Sequence, residues 1–450
     1  MSLGAVVEVL EAKYRDLERQ MPVVESPQYA TLVVPNGNQE MALHRWFHLK
    51  EAYSSSLLQQ VLKDTELSAL QGLRVLDPYT GVGTTCVSVA ELVIAGQLRG
   101  ASAYGVEANG FLHLVAATKL ACLRQPPRRF RVFAEKVARA ALASRGPAPP
   151  PPPLAAFHTS AYFDTADIDQ LMRLKSAIDA AEGYGADGLD VALARVCLGA
   201  IVEAVSNLRR DGRALRYTEK RSRPTTVQAF LDKAAQVSDD LPKATVPIQG
   251  RVLRGDGRLL GCIDGRFRPF DLVIFSPPYP NNIDYTEVYK LENWLLGYIT
   301  DATSFLQQRL VTVYSHPSIL RSDPLPSSLL SASENEALLE ATELLVAAVP
   351  ENRYAEGRRR MFRGYALDMY LSLRSAKGRV VEGGWVVYVV GNSVHGNRPE
   401  HLIIAADLLI AELATLAGLM VERVAVARHL RRRFVASPFL RESVVFLRRA

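Results

Sequence analysis

The chain has 450 residues, of which 48% are hydrophobic and 22% charged, and its mean hydropathy is +0.02. This is the composition of a soluble globular protein, and no stretch approaches the roughly 18 uninterrupted apolar residues that a membrane-spanning helix needs. The formal net charge is only +6. A phosphate-binding surface would therefore depend on where basic residues cluster rather than on overall charge.

The N-terminal stretch "MSLGAVVEVLEAKYRDLERQ" carries charges where a signal peptide needs an apolar run, so we expect a cytoplasmic protein. The cysteines lie far apart and form no CxxC pair. They are Cys86, Cys122, Cys197 and Cys262. This spacing supports neither a disulfide framework nor a zinc site, and we expect no metal.

Residues 1–70 are predicted to be mostly helical, with an extended piece at 30–35. Strands and helices then alternate over 71–125: strand "RVLD", a glycine turn, a helix, strand "AYGVE" and a further helix. Alternation of this kind predicts an α/β fold with a mostly parallel, doubly wound sheet.

The alternation stops at the proline-rich stretch "GPAPPPPPLA", and we interpret 126–248 as a linker followed by a helical insertion. Strands resume over 249–450 with "GRVLRGD", "FDLVIFS" and "GGWVVYVVGN". The last two strands, "VERVAVARH" and "ESVVFLRR", are predicted to form an antiparallel pair. The sequence thus predicts one sheet domain that the insertion interrupts.

Basic residues cluster in four places, at 124–131, 209–223, 358–363 and 428–433. A single cluster is more typical of a solvated surface than of a binding site. The second cluster lies in the insertion and contains Arg209, Arg210, Arg213, Arg216, Lys220, Arg221 and Arg223. The insertion is therefore the candidate region for nucleic-acid recognition, unless its arginines only position a phosphate backbone.

The turn "LDPYTGVGTT" follows a strand and opens a helix, where Gly81 and Gly83 would let a ligand approach the backbone closely. It lacks the lysine of a phosphate-binding loop, and it does not fit GxGxxG. The next strand ends in Glu107, a position where a carboxylate can accept from both hydroxyls of a ribose. Turn and acid together predict a nucleoside-containing cofactor; a purely structural turn is the alternative.

Two further segments follow strands of the same predicted sheet. In "RGDGR", Asp256 could accept from an adenine amino group or simply form an Asp-Gly turn. In "DLVIFSPPYPNNIDY", a buried strand runs into a loop that two prolines stiffen and that offers a hydroxyl, carbonyl groups and an aromatic ring.

In this order, "DPYTGVGTT", "GVEAN", "RGDGR" and "SPPY" resemble the motifs of S-adenosylmethionine-dependent DNA amino-methyltransferases. Those enzymes methylate the exocyclic nitrogen of cytosine or adenine. The resemblance covers most of the chain outside the insertion and implies a Rossmann-like methyltransferase fold. The cofactor-binding residues that it implies are Asp77, Pro78, Thr80, Gly81, Gly83, Thr84, Thr85, Glu107 and Asp256.

The chemistry of an exocyclic amine explains the loop. Its nitrogen is a poor nucleophile because the lone pair is delocalised into the ring, so hydrogen-bond acceptors must hold it in line with the sulfonium methyl. The hydroxyl of Ser276 and the carbonyl of Pro277 are suitable acceptors, and Pro278 helps to fix their direction. Tyr279 offers a face for a base that has left the duplex. A plain Pro-Pro turn with a surface tyrosine is the alternative.

Within the family, serine at the first loop position is associated with N4-cytosine methylation and aspartate with N6-adenine methylation. C5-cytosine methylation is disfavoured because none of the cysteines follows a proline. The resemblance therefore implies a site-specific, cytosine-N4-specific DNA methyltransferase that acts on a flipped base of double-stranded DNA, with a restriction enzyme as a candidate partner.

Further candidates follow the loop: Asn281, Asn282, Asp284 and Tyr285 could touch the target, or could cap a helix. Asn392 follows a strand whose loop resembles one that closes the target pocket. The segment 41–62 resembles the N-terminal cofactor motif of the family, with His44, Trp46 and Lys50 as candidates. His395 is interpreted as an ordinary loop histidine.

Alternative functions stay open. They are N6-adenine methylation of DNA, base-amine methylation of RNA, glutamine methylation of a protein, and a catalytically inactive nucleic-acid-binding protein of the same fold. The motif order also departs from that of many N4-cytosine enzymes, in which the catalytic motif comes before the cofactor motifs.

Overall fold

The computed structural model describes residues 2–153, 162–211, 215–218, 223–265, 267–319, 329–397, 400–432 and 435–450. The strands are β1 (Val23–Glu25), β2 (Arg74–Asp77), β3 (Ser102–Glu107), β4 (Leu208–Arg210), β5 (Leu215–Tyr217), β6 (Gln249–Arg254), β7 (Phe270–Phe275), β8 (Val380–Gly391), β9 (Ser393–Asn397), β10 (Glu400–Ile404), β11 (Met420–His429) and β12 (Arg441–Arg448).

The helices lie between these strands. They are α1 (Leu3–Gln20), α2 (Leu57–Asp64), α3 (Thr84–Ile94), α4 (Gly110–Arg124), α5 (Phe130–Ala143), α6 (Thr165–Gly183), α7 (Gly188–Ile201), α8 (Thr226–Asp240), α9 (Tyr285–Val288), α10 (Lys290–Leu295), α11 (Ala302–Leu310), α12 (Ala332–Ala347), α13 (Ala355–Lys377) and α14 (Ala406–Leu416). No helix in these described ranges is long and apolar enough to span a bilayer.

An eight-stranded sheet organises the molecule, in the order β1-β11-β12-β8-β7-β2-β3-β6. Every neighbouring pair is parallel except those of β12, which runs antiparallel to both β8 and β11. The predicted α/β fold, Rossmann-like and with an antiparallel C-terminal pair, is confirmed. The strand order reverses between β2 and β7, and a crevice forms at the carboxyl ends of strands where this happens.

Strand β7 shows why the sheet lies between two layers of helices. Its side chains are buried on both faces, with Leu272 and Ile274 in one hydrophobic core and Val273 and Phe275 in the other. Because successive side chains of a strand point to opposite faces, a continuous apolar run fits only a sheet covered on both sides. Helices α3 and α4 contribute to the first core, and α13 and α14 to the second.

The predicted insertion is helical where the structure describes it. Helices α5 to α8 pack on one another, α7 packs on α4, and their apolar side chains join the same core as α3 and α4. A short hairpin, β4 with β5, lies between α7 and α8. The insertion therefore extends one helical layer of the sheet domain.

The N-terminal region departs from the prediction of a mostly helical segment with an extended piece at 30–35. In the described residues up to 70, α-helix occurs only at α1 and α2, three short 3₁₀ helices lie at Pro27–Tyr29, His44–Trp46 and Leu67–Ala69, and residues 30–42 form a run of turns and bends. The sequence "PNGN" explains the turns, since Gly37 adopts a φ of +80° and proline and asparagine favour turns. The short strand β1 joins the sheet edge beside β11.

Candidate functional site

A cavity of about 420 Å³ lies at the carboxyl ends of β2, β3 and β7. It brings together most of the side chains that the motifs single out: Asp77, Pro78, Thr80, Gly81, Thr84, Glu107, Ser276, Pro277, Pro278, Tyr279, Asn281 and Tyr285. The other candidates do not line it. They are Gly83, Thr85, Asp256, Asn282, Asp284 and Asn392.

Asp77 ends β2 and is only 3% exposed. One carboxylate oxygen accepts from the Tyr79 main-chain N–H at 3.0 Å, and the other accepts from the Tyr53 hydroxyl at 3.2 Å and from the Thr85 hydroxyl. Burial raises the pKa of Asp77 to about 6, against these donors, which lower it. Thr85 therefore supports the site from outside the cavity lining, by donating a hydrogen bond that fixes the Asp77 carboxylate.

The glycine turn needs its glycines for two different reasons. Gly81 has a φ of +52°, and a Cβ there would lie 2.7 Å from the side chain of Leu49. Gly83 has a φ of +85°, and a Cβ there would lie 3.1 Å from Ala116 of α4. Gly81 thus belongs to the cavity wall, whereas Gly83 lets α3 pack closely on α4.

Glu107 ends β3 and connects it to the glycine turn. Its two carboxylate oxygens accept from the main-chain N–H groups of Gly81 at 2.9 Å and Asn109 at 2.8 Å. Burial raises the pKa of Glu107 to about 7, and the two N–H groups oppose the shift. The carboxylate is therefore fixed in direction while each oxygen keeps capacity to accept from a ligand.

The carboxylate of Asp256 forms an ion pair outside the cavity lining. It accepts from the guanidinium of Arg258 at 2.6 Å, and that guanidinium also binds the buried Asp368 at 2.8 Å. Its neighbour Gly257 does line the cavity, and a Cβ there would lie 2.1 Å from the Pro78 carbonyl oxygen. The position of Asp256 does not support the prediction that it accepts from an adenine amino group.

The loop after β7 lines the same cavity as the carboxylates that end β2 and β3. The hydroxyl of Ser276 donates to the Tyr279 hydroxyl at 3.1 Å, and the Tyr279 N–H donates to the Tyr285 hydroxyl at 3.3 Å. The Pro280 carbonyl accepts from Ser393 at 2.7 Å and lies 2.7 Å from His395 Nε2. Hydrogen bonds therefore fix the loop both internally and against β9.

His395 differs from the prediction of an ordinary loop histidine. It lies in β9 and is 1% exposed, and its contact with the Pro280 carbonyl helps to fix the loop. The resemblance of the stretch around Asn392 to a loop that closes the target pocket points to this region, but it gives no role to His395, which is more than a hundred residues from the SPPY loop.

The C-terminal strand pair contributes two further cavity residues, Glu442, which no sequence motif marks, and Arg428, which begins the basic cluster at 428–433. Glu442 of β12 accepts from the Tyr279 hydroxyl at 3.3 Å and from Arg428 of β11 at 2.7 Å. Burial raises the pKa of Glu442, while the ion pair with Arg428 lowers it. These two residues anchor the hydroxyl end of Tyr279, a role that neither the basic cluster at 428–433 nor the sequence around Glu442 indicates.

The N-terminal segment supplies another wall through Lys50, Glu51 and Tyr53. The hydroxyl of Tyr289 donates to Glu51, and burial raises the pKa of that carboxyl. Lys50 donates to the main-chain carbonyl of Arg210 at 2.9 Å. Of the three candidates in this motif, only Lys50 lines the cavity.

The other two candidates of that motif hold the segment in place. Trp46 donates its indole N–H to Asp240, at the end of α8, at 3.1 Å. Asp240 also accepts from Arg45 at 2.6 Å. His44 is buried, with its Nε2 3.2 Å from Glu91. The insertion thus positions the segment that carries Lys50.

The residues downstream of the loop divide into two groups. Asn281 and Tyr285 line the cavity. Asp284 caps α9 and binds Arg309 at 2.7 Å, which agrees with the capping alternative. Asn282 adopts a φ of +61° outside the cavity lining. Asn392 donates to Asp407 and to the Phe439 carbonyl, which makes it a buried structural residue.

The arginines of the insertion also divide. Arg210 is 7% exposed, binds Glu203 and Glu292, and packs against the rings of Phe47 and Tyr289. Its assignment to a nucleic-acid surface is therefore corrected to a structural role. Arg223 binds Asp164, whereas Arg209 and Arg216 are exposed on the hairpin. Arg213, Lys220 and Arg221 lie outside the described residues.

Comparison by sequence identifies relatives, although no family model matches the chain. The protein named type II methyltransferase M.AvaI, from a Nostoc species and from Anabaena variabilis, is 24% identical over 465 aligned positions, covering 93% of this chain and 86% of the relative. Type II methyltransferase M.BsoBI from Geobacillus stearothermophilus is 24% identical over 303 positions, covering 59% of this chain and 55% of the relative.

Comparison by structure gives only loose matches. TrmN from Thermus thermophilus is 12% identical with a TM-score of 0.25 and covers 88% of this chain and 49% of its own. The rRNA methyltransferase aviRa from Streptomyces viridochromogenes is 9% identical with a TM-score of 0.26, at 88% and 85% coverage. Matches this loose say nothing about activity. By sequence, the chain is similar to relatives named as type II methyltransferases, which agrees with the resemblance seen in the motifs.

Proposed function

We propose that the protein transfers a methyl group from S-adenosylmethionine to the exocyclic amine of a base in DNA, namely N4 of cytosine. The observation that carries the proposal is that the SPPY loop, Asp77 and Glu107 line one and the same cavity. A methyl donor and an amine must meet in line for transfer, and a shared cavity at the switch point of the sheet provides that meeting place.

The residues on the strand ends fit the cofactor. Glu107 has a direction fixed by two main-chain N–H groups, so that both oxygens can accept from ribose hydroxyls. Gly81 has no side chain, so it avoids the clash that a Cβ at this position would make with Leu49, and its backbone is left open to a ligand. Asp77, Pro78, Thr80 and Thr84 complete this side of the cavity. When bound, S-adenosylmethionine supplies an electrophilic methyl group on a sulfonium centre.

The loop side fits an amine. The hydroxyl of Ser276 and the carbonyl of Pro277 would accept the two hydrogens of an exocyclic amine, which draws the nitrogen lone pair out of conjugation. Hydrogen bonds from Ser276 to Tyr279 and from Tyr279 to Glu442 hold these groups before substrate arrives. Positioning that is complete in the free protein costs no reorganisation during reaction.

A base inside a duplex cannot reach the amine-holding loop, which lies within a cavity. The target nucleotide must therefore rotate out of the stack, as enzymes that modify bases require. Tyr279 and Tyr285 line the cavity and offer aromatic surface to such a base. DNA is the proposed substrate because the relatives are named as type II methyltransferases, and a restriction enzyme of matching specificity is the proposed partner.

The test is expression in a host that lacks DNA methylation, followed by sequencing that separates N4-methylcytosine from N6-methyladenine. We expect N4-methylcytosine in one fixed short context. A Ser276→Ala variant expressed at the same level serves as control and should leave a much smaller fraction of the sites in the host DNA methylated. N6-methyladenine would contradict the choice of base, and unmodified DNA from soluble wild-type protein would contradict DNA as substrate.

A further inference from the structure

A second cavity, of about 530 Å³, adjoins the catalytic one and shares three lining residues with it: Val34, Lys50 and Arg428. We infer that this second cavity binds a backbone phosphate next to the target nucleotide. The inference rests on the proposed function. The sugar of a flipped nucleotide is bonded to a phosphate on each side, so a phosphate must lie close to the mouth of any pocket that receives a flipped base.

The charge of this cavity matches that ligand. Its ionisable lining groups are His48, Lys50 and Arg428, and no carboxylate is among the described lining residues. Asn36 and Gln39 add amide groups that can donate to phosphate oxygens. Side chains of these types provide most protein contacts to a nucleic-acid backbone. A ligand with negative charge and several acceptor oxygens is therefore the best match.

Both strong cations are held in position before any ligand binds. Lys50 donates to the Arg210 main-chain carbonyl, which is an uncharged partner, so its positive charge is still available. Arg428 is bound by Glu442, and Glu442 also accepts from Tyr279. The phosphate cavity and the loop that holds the amine are therefore connected through a single carboxylate.

His48 would contribute as a neutral donor. Its ring lies 3.3 Å from the Gln39 side-chain nitrogen, and burial together with the nearby Lys50 lowers the pKa of the ring. The phosphate site is therefore expected to depend mainly on Lys50 and Arg428, with His48 and the two amides adding direction.

The experiment combines one protein change with one change in the DNA. Binding is measured on a duplex that contains the methylated context, and on duplexes in which single phosphates near the target base are replaced by uncharged methylphosphonates. We expect that replacing the phosphate at one of these positions weakens DNA binding by the wild-type protein about fivefold to tenfold. The Lys50→Gln variant should bind unmodified DNA more weakly by a similar factor and be insensitive to that replacement.

Salt dependence gives an independent measurement. Losing one phosphate contact should lower the slope of log K against log salt by about 0.9 for Lys50→Gln. Lys50→Arg, which keeps the charge, should retain most of the slope. Arg15→Gln serves as the matched control, since its side chain is 50% exposed on α1 and pairs within that helix.

Three outcomes would overturn the inference. If Lys50→Gln and each methylphosphonate lower the free energy of DNA binding independently, so that their effects add at every position, Lys50 contacts no phosphate near the target. The proposed methyltransferase function would still stand in that case. If Lys50→Gln weakens S-adenosylmethionine binding and leaves DNA binding unchanged, the lysine serves the cofactor instead. If wild-type protein binds no DNA at all, this inference and the proposed function fail together.

Discussion

The two carboxylates at the strand ends show how burial and hydrogen bonding set the chemistry of single residues. Asp77 and Glu107 would both be ionised in water at neutral pH, but burial raises their pKa values to about 6 and about 7. Main-chain and hydroxyl donors oppose that shift and fix each carboxylate in direction. The affinity for a ligand that needs acceptors here should therefore depend on pH within the physiological range.

We expect cofactor affinity to fall as the pH drops below about 7. The ionised carboxylate of Glu107 accepts from both ribose hydroxyls, whereas protonation removes part of that capacity. With a pKa of about 7 in the free protein, Glu107 should raise the dissociation constant by at most about tenfold for each pH unit below that value, and Asp77 should add to the rise near pH 6. Calorimetry from pH 5.5 to 8.5 measures this directly.

The control for that experiment is Glu107→Gln. This variant should bind the cofactor more weakly at every pH. Its dissociation constant should then vary with pH only near pH 6, where Asp77 titrates. An unchanged pH profile in this variant would show that another group is responsible.

At the SPPY loop, Ser276→Ala and Tyr279→Ala should each reduce methyl transfer by at least about tenfold while leaving cofactor affinity nearly unchanged. Both side chains belong to the loop that is proposed to hold the amine, whereas Asp77 and Glu107 are proposed to hold the cofactor, so losing either loop side chain should affect the transition state. Ser333→Ala, on the exposed surface of α12, is the control. Equal loss of cofactor binding would show that the loop has been assigned to the wrong ligand.

At the scale of elements, strands were predicted well where buried apolar runs leave no other choice. The run at β7 supplies both cores at once, and no helix of that length could do so. The segment 30–35 was predicted wrongly because its apolar residues resemble a strand, whereas the "PNGN" that follows imposes turns. The apolar composition of β7 was therefore enough to predict a strand, whereas at 30–35 the turn-forming residues outweighed the apolar ones.

Strand β8 contributes a position that no motif marks. Gly391 lies beside Glu442 in the sheet, and a Cβ there would lie 3.1 Å from the ring of Tyr279. Gly391→Ala should therefore displace that ring, reduce methyl transfer about tenfold and destabilise the protein by about 1–3 kcal/mol through overpacking. Steady-state kinetics and urea unfolding measure the two effects.

The control is Gly378→Ala, where a Cβ would meet only ordinary contacts at 3.5 Å. Full activity in Gly391→Ala would show that the ring of Tyr279 tolerates the shift, and its position would then not be critical for transfer.

At the scale of the whole molecule, Arg210 joins the insertion to the catalytic half. It comes from β4, binds Glu292 of α10 and Glu203, donates to the Val288 carbonyl at 2.9 Å and lies over the Tyr289 ring at 5.1 Å. Tyr289 in turn donates to Glu51 on the cavity wall. A buried ion pair of this kind connects two regions far apart in the sequence.

Arg210→Met should destabilise the protein by about 3–5 kcal/mol, because Glu292 is left as a buried charge without its partner. Urea unfolding at neutral pH measures this. The double variant Arg210→Met, Glu292→Leu should recover most of the loss, since it removes both charges. A single variant as stable as wild type would mean that Glu292 is protonated in the native state.

The sequence by itself determined the sheet, the order of its motifs and the residues of the glycine turn and SPPY loop. Those features depend on local constraints: period-two burial, turn residues and a short loop after a strand. Only the tertiary structure revealed that Arg428, Glu442 and His395 hold the loop, that Arg210 is buried, and that Asp256 and Asn392 are bound away from the cavity. Such roles depend on which distant segments the fold brings together, and the type of a single residue carries no information about its distant neighbours.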